Sequence, residues 1–294
     1  MIYRFMDDQR RFHRVEMMAR VLGVSRSGFY RWRSGRVTNR EKSNKKLRGE
    51  IKRVQKKAKW RYGSPRVTRE LRKHGINVGE NRVARIMRAE GLNRRRRKKF
   101  RVTTKSDHKH APAPNLLERQ FTVAEANRAW SSDLTYVATA EGWLYVCVIL
   151  DLYSRRVVGW SMSQSMATDM VLRAFWMAVN NRKPADGLIF HSDRGVQYAS
   201  TAFRKVLASC RMRQSMSRKG DCWDNACAES FFGSLKGELI EDMVFPTRRE
   251  AKTAIFEYIE AFYNRRRLHS TIGYCSPAEF EDAARRKDIY EQIG

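Results

Sequence analysis

Acidic residues are scarce in this 294-residue chain: 31 Asp and Glu stand against 60 Lys and Arg, giving a formal net charge of +29. A folded chain this basic repels itself unless it works against a polyanion, so nucleic acid is the expected partner. Long apolar runs are missing too. The longest, Trp143 to Leu150, stops at Asp151, far short of the roughly 20 residues a membrane-spanning helix needs. No lipid-anchor motif or long amphipathic basic helix points to an anionic membrane surface instead. Cysteine is sparse and unpatterned. There are five, none in a Cys-x-x-Cys pair, and Cys222 and Cys227 have no histidine at ligand spacing. That argues against a disulfide framework or structural zinc and for reduced thiols. The start is charged within ten residues and carries no apolar signal segment, so the chain does not read as a secreted protein and a cytoplasmic one is expected.

What is present is organised in blocks. Residues 1–110 are dominated by Arg and Lys, whereas 127–245 hold the β-rich apolar segments and well-spaced carboxylates. Between them lie the cationic run Arg94, Arg95, Arg96, Arg97, Lys98, Lys99 and then Ala-Pro-Ala-Pro at 111–114, an extended spacer. The expected division is a helix-turn-helix segment at 1–40 and a second helical DNA-binding unit at 41–95. A basic, Pro-containing linker at 96–125 leads to a catalytic core at 126–245 and a helical extension at 246–294.

In the first segment Ala19 lies on one helix, Gly23 marks the turn and Ser25 is placed to cap a second helix running through Arg33. Val24 and Phe29 supply the packing face, and Arg26, Ser27, Tyr30, Arg31 and Arg33 are candidate groove or phosphate contacts. In the second unit Ile51, Val54 and Ala58 keep helical spacing from about Lys45, and Gly63-Ser64-Pro65 breaks the chain. A helix through Val67 and Leu71 stops near Gly75, and a third carries Val83, Ile86 and Met87 to Gly91. Asn81, Arg82, Arg85 and Arg88 fall on its polar side; a solvated basic bundle is the plainer alternative.

After residue 125 the apolar period changes. Trp130–Val137, Leu144–Leu150 and Val157–Met162 read as a three-strand meander, followed by a helix over Thr168–Asn180 and a short strand at Gly187–His191. A helix over Thr201–Ser209, a strand at Arg213–Met216, a polar loop at 217–221 and a helix from about Trp223 to Leu239 complete the core. This is the element order of a ribonuclease-H-like α/β fold. Thr247–Tyr263 then reads as an amphipathic helix, and the basic run after it, with Arg266 and Arg267, as a phosphate-binding edge.

Phosphodiester chemistry calls for carboxylates at strand ends and on a facing helix, because divalent cations held by such groups activate one oxygen and stabilise another. Asp133 lies in Trp-Ser-Ser-Asp-Leu-Thr-Tyr, Asp193 follows an apolar strand in His-Ser-Asp-Arg-Gly, and Glu229 sits among small residues in Asn-Ala-Cys-Ala-Glu-Ser. Lys236, seven residues beyond Glu229, falls on the same helix face within about 20°. Asp224 competes with Glu229 but points about 140° away on an ideal helix, and Asp151 reads as a turn carboxylate. His191 and Asn225 are candidates for orienting substrate, a packed histidine being at least as good a reading of His191.

This constellation resembles the DDE motif of retroviral integrases and OrfB-type insertion-sequence transposases. The 35 residues between Asp193 and Glu229, the following Lys236, and the strings His191-Ser-Asp-Arg-Gly-Val-Gln-Tyr198, Asp224-Asn225-Ala226 and Tyr263-Asn-Arg-Arg-Arg-Leu-His269 carry the likeness, which runs from about residue 10 to 280. The resemblance implies a mixed five-stranded sheet with flanking helices and a catalytic site of Asp133, Asp193, Glu229 and Lys236. It also implies two Mg²⁺ or Mn²⁺ ions held by the three carboxylates. Implied partners are double-stranded DNA, namely element ends and target, and further copies of the chain. An upstream leucine-zipper protein, supplied separately or by frameshift fusion, is implied as well. The rivals are a nuclease that cuts without joining and a repressor with a silent core.

Overall fold

The computed structural model describes residues 1–35, 37–92, 112–218, 222–240 and 243–293. The cationic run Arg94–Lys99 and the tip of the polar loop, residues 219–221, lie outside the described residues. The chain divides into two compact units, Met1–Arg94 and Arg95–Gly294.

The first unit is helical. Helices α1 (Ile2–Gln9), α2 (Val15–Val21) and α3 (Arg26–Ser34) bury Met6, Met18, Ala19 and Phe29 together. Gly23 takes the left-handed conformation at the turn, and the Ser25 hydroxyl accepts from the Gly28 amide at 3.0 Å as the expected cap. The helix α1 was not anticipated. Its Tyr3 lies where a side chain on Gly28 would have to be, so a glycine near the start of α3 lets α1 close the bundle. Helix α4 (Asn39–Lys57) begins six residues before the expected Lys45, because Thr38 and Glu41 form a reciprocal capping box. With α5 (Ser64–Lys73) and α6 (Glu80–Ala89) it buries Ile51, Val67, Leu71, Val83 and Met87.

The second unit is built on a five-stranded sheet of order β3-β2-β1-β4-β5. Strands β1 (Ala129–Thr139), β2 (Gly142–Asp151) and β3 (Val157–Ser163) form the expected antiparallel meander, and β4 (Ile189–Ser192) and β5 (Arg213–Met216) add in parallel. Helix α7 (Thr168–Arg182) covers one face, followed by the short α8 (Val196–Ala199) and α9 (Thr201–Ser209). Their core joins Trp130, Phe175, Phe190, Tyr198 and Phe203, with Phe190 and Phe203 rings 5.3 Å apart edge to face. Close approach of α7 depends on Gly159, where a side chain would collide with the α7 backbone at Ala174 and Ala178. The meander, helix, strand, helix, strand, helix order and mixed sheet are those of a ribonuclease-H-like fold.

The helix expected from Trp223 to Leu239 is three elements: a 3-10 turn (Cys222–Asn225), α10 (Ala226–Leu235) and a π turn (Lys236–Ile240). The following α11 (Arg248–Glu257) likewise widens into a π turn (Tyr258–Tyr263), and α12 (Pro277–Ile293) ends the chain. These C-terminal elements belong to the same unit as the sheet. Glu281 of α12 is buried against Arg182 of α7, which also pairs with buried Asp151 at the end of β2. Asp151 accepts the amides of Asn127 and Tyr153 as well, so the turn-carboxylate reading of it holds.

Candidate active site

The parallel register of β1 and β4 sets Ser132 opposite Ser192. Asp133 follows on β1, and Asp193 is the first residue past the end of the neighbouring β4. Asp193 leaves the sheet in a tight turn in which its carboxylate accepts the Gly195 amide at 2.9 Å. A side chain at Gly195 would come within 2.9 Å of that same carboxylate oxygen, so glycine there keeps Asp193 accessible. Asp133 accepts the amide of Leu134 at 2.8 Å.

Glu229 comes to this pair on α10, whose start is tied to β1. The Ser131 hydroxyl donates to Asn225 Oδ1 at 2.7 Å, and Asn225 Nδ2 donates to the Ser132 carbonyl at 3.2 Å. Glu229 is one helical turn beyond that tie. Burial first, then Asp193 and Glu229, push Asp133 well above the ordinary carboxylate range. Burial and Asp193 raise Glu229. Lys236 is drawn toward Asp133, and partial burial lowers its ammonium to about 8. Its Nζ also lies over the Tyr136 ring, 5.4 Å from the centroid. The π turn at Lys236 was not foreseen, yet the lysine still faces Asp133.

The structure brings Asp133, Asp193, Glu229 and Lys236 together. Among the described residues, however, no three Asp, Glu, His or Cys side chains already surround a common point as a metal cage would. The carboxylate oxygens are hard donors in mutual repulsion, a chemistry that suits a divalent cation, while Glu229 stands on the exposed face of α10.

Three expected site residues are placed elsewhere. His191 is fully buried, with Nδ1 2.8 Å from the Ser215 hydroxyl and Nε2 3.3 Å from that of Ser217. Burial lowers it to about 4, which suits the reading of a packed histidine. Asn225 is buried, its amide spent on the tie to β1 rather than on substrate. Arg267 is no phosphate-binding edge. It is buried in an ion pair with Glu238 at 2.9 Å, with Ser234 and the Tyr258–Glu238 bond completing the cluster. Its neighbour Arg266 is exposed. Asp224, the rival of Glu229, is buried and held by Arg119 and Arg218, which keep its carboxyl well below the usual range.

In the helical unit Arg26, Ser27, Tyr30, Arg31, Arg33, Asn81, Arg85 and Arg88 are exposed. Arg26 pairs with Glu16 and Arg33 with Asp7. Arg82 is half-buried and braces α6 on α4 through Asn44 and Ser43 at 2.8 and 2.9 Å, which removes it from the outward face.

Comparison with known proteins follows this geometry. The integrase core domain family matches residues 123–222 and again 229–284, and the HTH-like domain family matches residues 42–100. Helices α2 and α3 fall outside that last match. The chain is 40% identical over 284 residues to transposase InsF for insertion sequence IS3A of Escherichia coli (strain K12), covering 96% of this chain and 99% of that one. It is 43% identical over 265 residues to the insertion element IS600 uncharacterized 31 kDa protein of Shigella sonnei, covering 90% and 97%. A solved structure, the HTLV-2 integrase catalytic core domain in complex with magnesium (trimeric form), is similar with a TM-score of 0.41 and 16% identity, over 53% of this chain and 97% of that one. An integrase core preceded by an HTH-like domain defines a polynucleotidyl transferase that acts on DNA. Within that class, the chain belongs to the IS3 family of insertion-sequence transposases.

Among the described residues no helix is long and apolar enough to cross a membrane.

Proposed function

We propose that this transposase cuts and joins DNA at Asp133, Asp193 and Glu229, which hold two divalent cations, Mg²⁺ or Mn²⁺. The observation that carries this is the Ser132–Ser192 register, which places two carboxylates side by side where the sheet opens. The upward shifts of Asp133 and Glu229, each driven by burial and then by the Asp193 charge, fit negative charge that a cation would relieve. Bound there, such ions activate the attacking oxygen and stabilise the leaving one. Glu229, on its exposed helix face, is the ligand that turns inward to complete the set. Lys236 neutralises a phosphate oxygen next to Asp133. The chain aligns water for a first nick, then holds the freed 3′-OH for in-line attack on a second phosphodiester. No Ser or Tyr of the chain becomes attached to DNA.

The exposed basic side chains of α3 and α6, with Arg266, suit phosphate contacts on element ends. The run Arg94–Lys99 is proposed to track the backbone on its net charge alone. Two DNA ends must meet, so the active form is a homo-oligomer on DNA, working in the bacterial cytoplasm, and an upstream leucine-zipper partner is proposed to assist it. Labelled element-end DNA with Mg²⁺ tests the reading. Joined product supports a transposase acting at these residues. Cleavage without joining would turn the reading into a nuclease, and tight end binding without chemistry, even with the upstream partner added, into a repressor.

A further inference from the structure

Beyond Ser132 the partner strand β4 ends, and β1 runs on past the acidic residues toward its hairpin with β2. Two aromatics stand diagonally on one face of that hairpin. Tyr136 is registered with Tyr145, and Trp143 with Ala138. The Tyr136 and Trp143 rings meet edge to face with centroids 4.8 Å apart. Trp143 leaves half of its surface, 50%, in solvent.

Cations flank this pair. Lys236 Nζ lies over the Tyr136 ring and within the field of Asp133, so one side chain links the aromatic pair to the acidic site. Arg248 donates to the Trp143 carbonyl at 3.2 Å. Its guanidinium also reaches the hairpin turn, where a side chain on Gly142 would come within 2.9 Å of it. A lone exposed tryptophan needs no explanation. An exposed ring braced edge-on by a second ring, with Lys236 over that second ring and Arg248 on the hairpin backbone, is a built surface.

The geometry points to a nucleobase seat: Tyr136 and Trp143 stack an unpaired base of the DNA strand whose phosphodiester lies at Asp133, Asp193 and Glu229. This rests on the proposed function and deepens it. Stacking on an aromatic face tolerates any base, because every base has a π-face. Lys236 lies between the seat and the acidic site, where the phosphate joining the two nucleotides would pass. An apolar protein surface fits less well, since docking there would bring it against Lys236 and Arg248. Fraying the end base from its pair and parking it on Trp143 would keep the cleaved strand separated and in line for joining.

The test compares two element-end duplexes, one fully paired and one with its terminal nucleotides unpaired. It uses the full chain carrying Glu229→Gln, so that no turnover intervenes. Adding Trp143→Ala should weaken binding of the unpaired end by about tenfold or more and leave the fully paired duplex within about twofold. Trp143→Phe should restore most of the loss. A 2-aminopurine at the unpaired position should be quenched in the parent and bright in Trp143→Ala. Equal affinities for both duplexes in Trp143→Ala and its parent would overturn the seat. So would an equal loss on both duplexes, or a change in oligomer size without a change in DNA affinity. Joining by the unmutated chain in Mg²⁺ is scored separately. Its absence counts against the proposed function, while the binding comparison still decides the seat.

Discussion

Asp133 carries a charge that the fold opposes. Its folded-state pKa is raised, so whatever stability it supports in acid is lost as pH rises through that value. Near neutral pH an ionised Asp133 beside Asp193 therefore destabilises the protein, and on the proposed reading a bound cation would relieve this. Asp133→Asn should raise the thermal stability of the metal-free chain by on the order of 1 kcal/mol and abolish joining. Mg²⁺ should raise Tm in the parent but not in that variant, which a thermal-shift titration reads directly. Lys236 sets the alkaline side. Its ammonium, at about 8, loses charge as pH climbs past that point, so joining should fall there. Lys236→Arg keeps its charge to far higher pH. An alkaline limb that does not move in that variant would remove Lys236 from the reaction.

The secondary elements were legible where local pattern decides them. Helix α9 and strand β5 begin and end where the apolar spacing and turn residues place them, and the Ser25 cap was visible as a serine before a helical run. The π turns after Leu235 and Glu257 were not, because a widened turn keeps nearly the same apolar face as an α-helix over five or six residues. Partners distant in sequence were also invisible. Arg267 sits in a run of three arginines that reads as an exposed edge, yet its charge is buried against Glu238, contributed by a different helix. Removing one member of a buried pair strands the other, so Arg267→Ala should cost about 3–5 kcal/mol in a denaturant titration. Arg266→Ala should leave stability within about 0.5 kcal/mol and lower DNA affinity. Asn225 repeats the lesson: a short motif beside Glu229 suggested substrate contact, whereas the fold uses it to pin α10 to β1. Asn225→Ala should cost about 1–3 kcal/mol and raise the Mg²⁺ concentration needed for half-maximal joining. An unchanged metal requirement would mean the tie does not position Glu229.

Across the whole chain, the net charge of +29 was the clearest signal in the sequence and the least specific. It says that DNA binding should weaken steeply with salt, log affinity falling against log salt with a slope of about −0.9 per phosphate contacted on duplex DNA. Arg85→Ala or Arg88→Ala should each flatten that slope by about one unit. The charge does not say that the chain cuts DNA; that part of the reading rests on the proposed roles of Asp133, Asp193 and Glu229. The most direct measurement is therefore joined-product yield in Mg²⁺ for the parent, Glu229→Gln and Asp224→Asn, each normalised to its folded, end-bound fraction. Joining should vanish in Glu229→Gln while end binding persists, and should survive in folded Asp224→Asn. Joining that persists in Glu229→Gln, or is lost only in Asp224→Asn, would contradict the assignment of the active site.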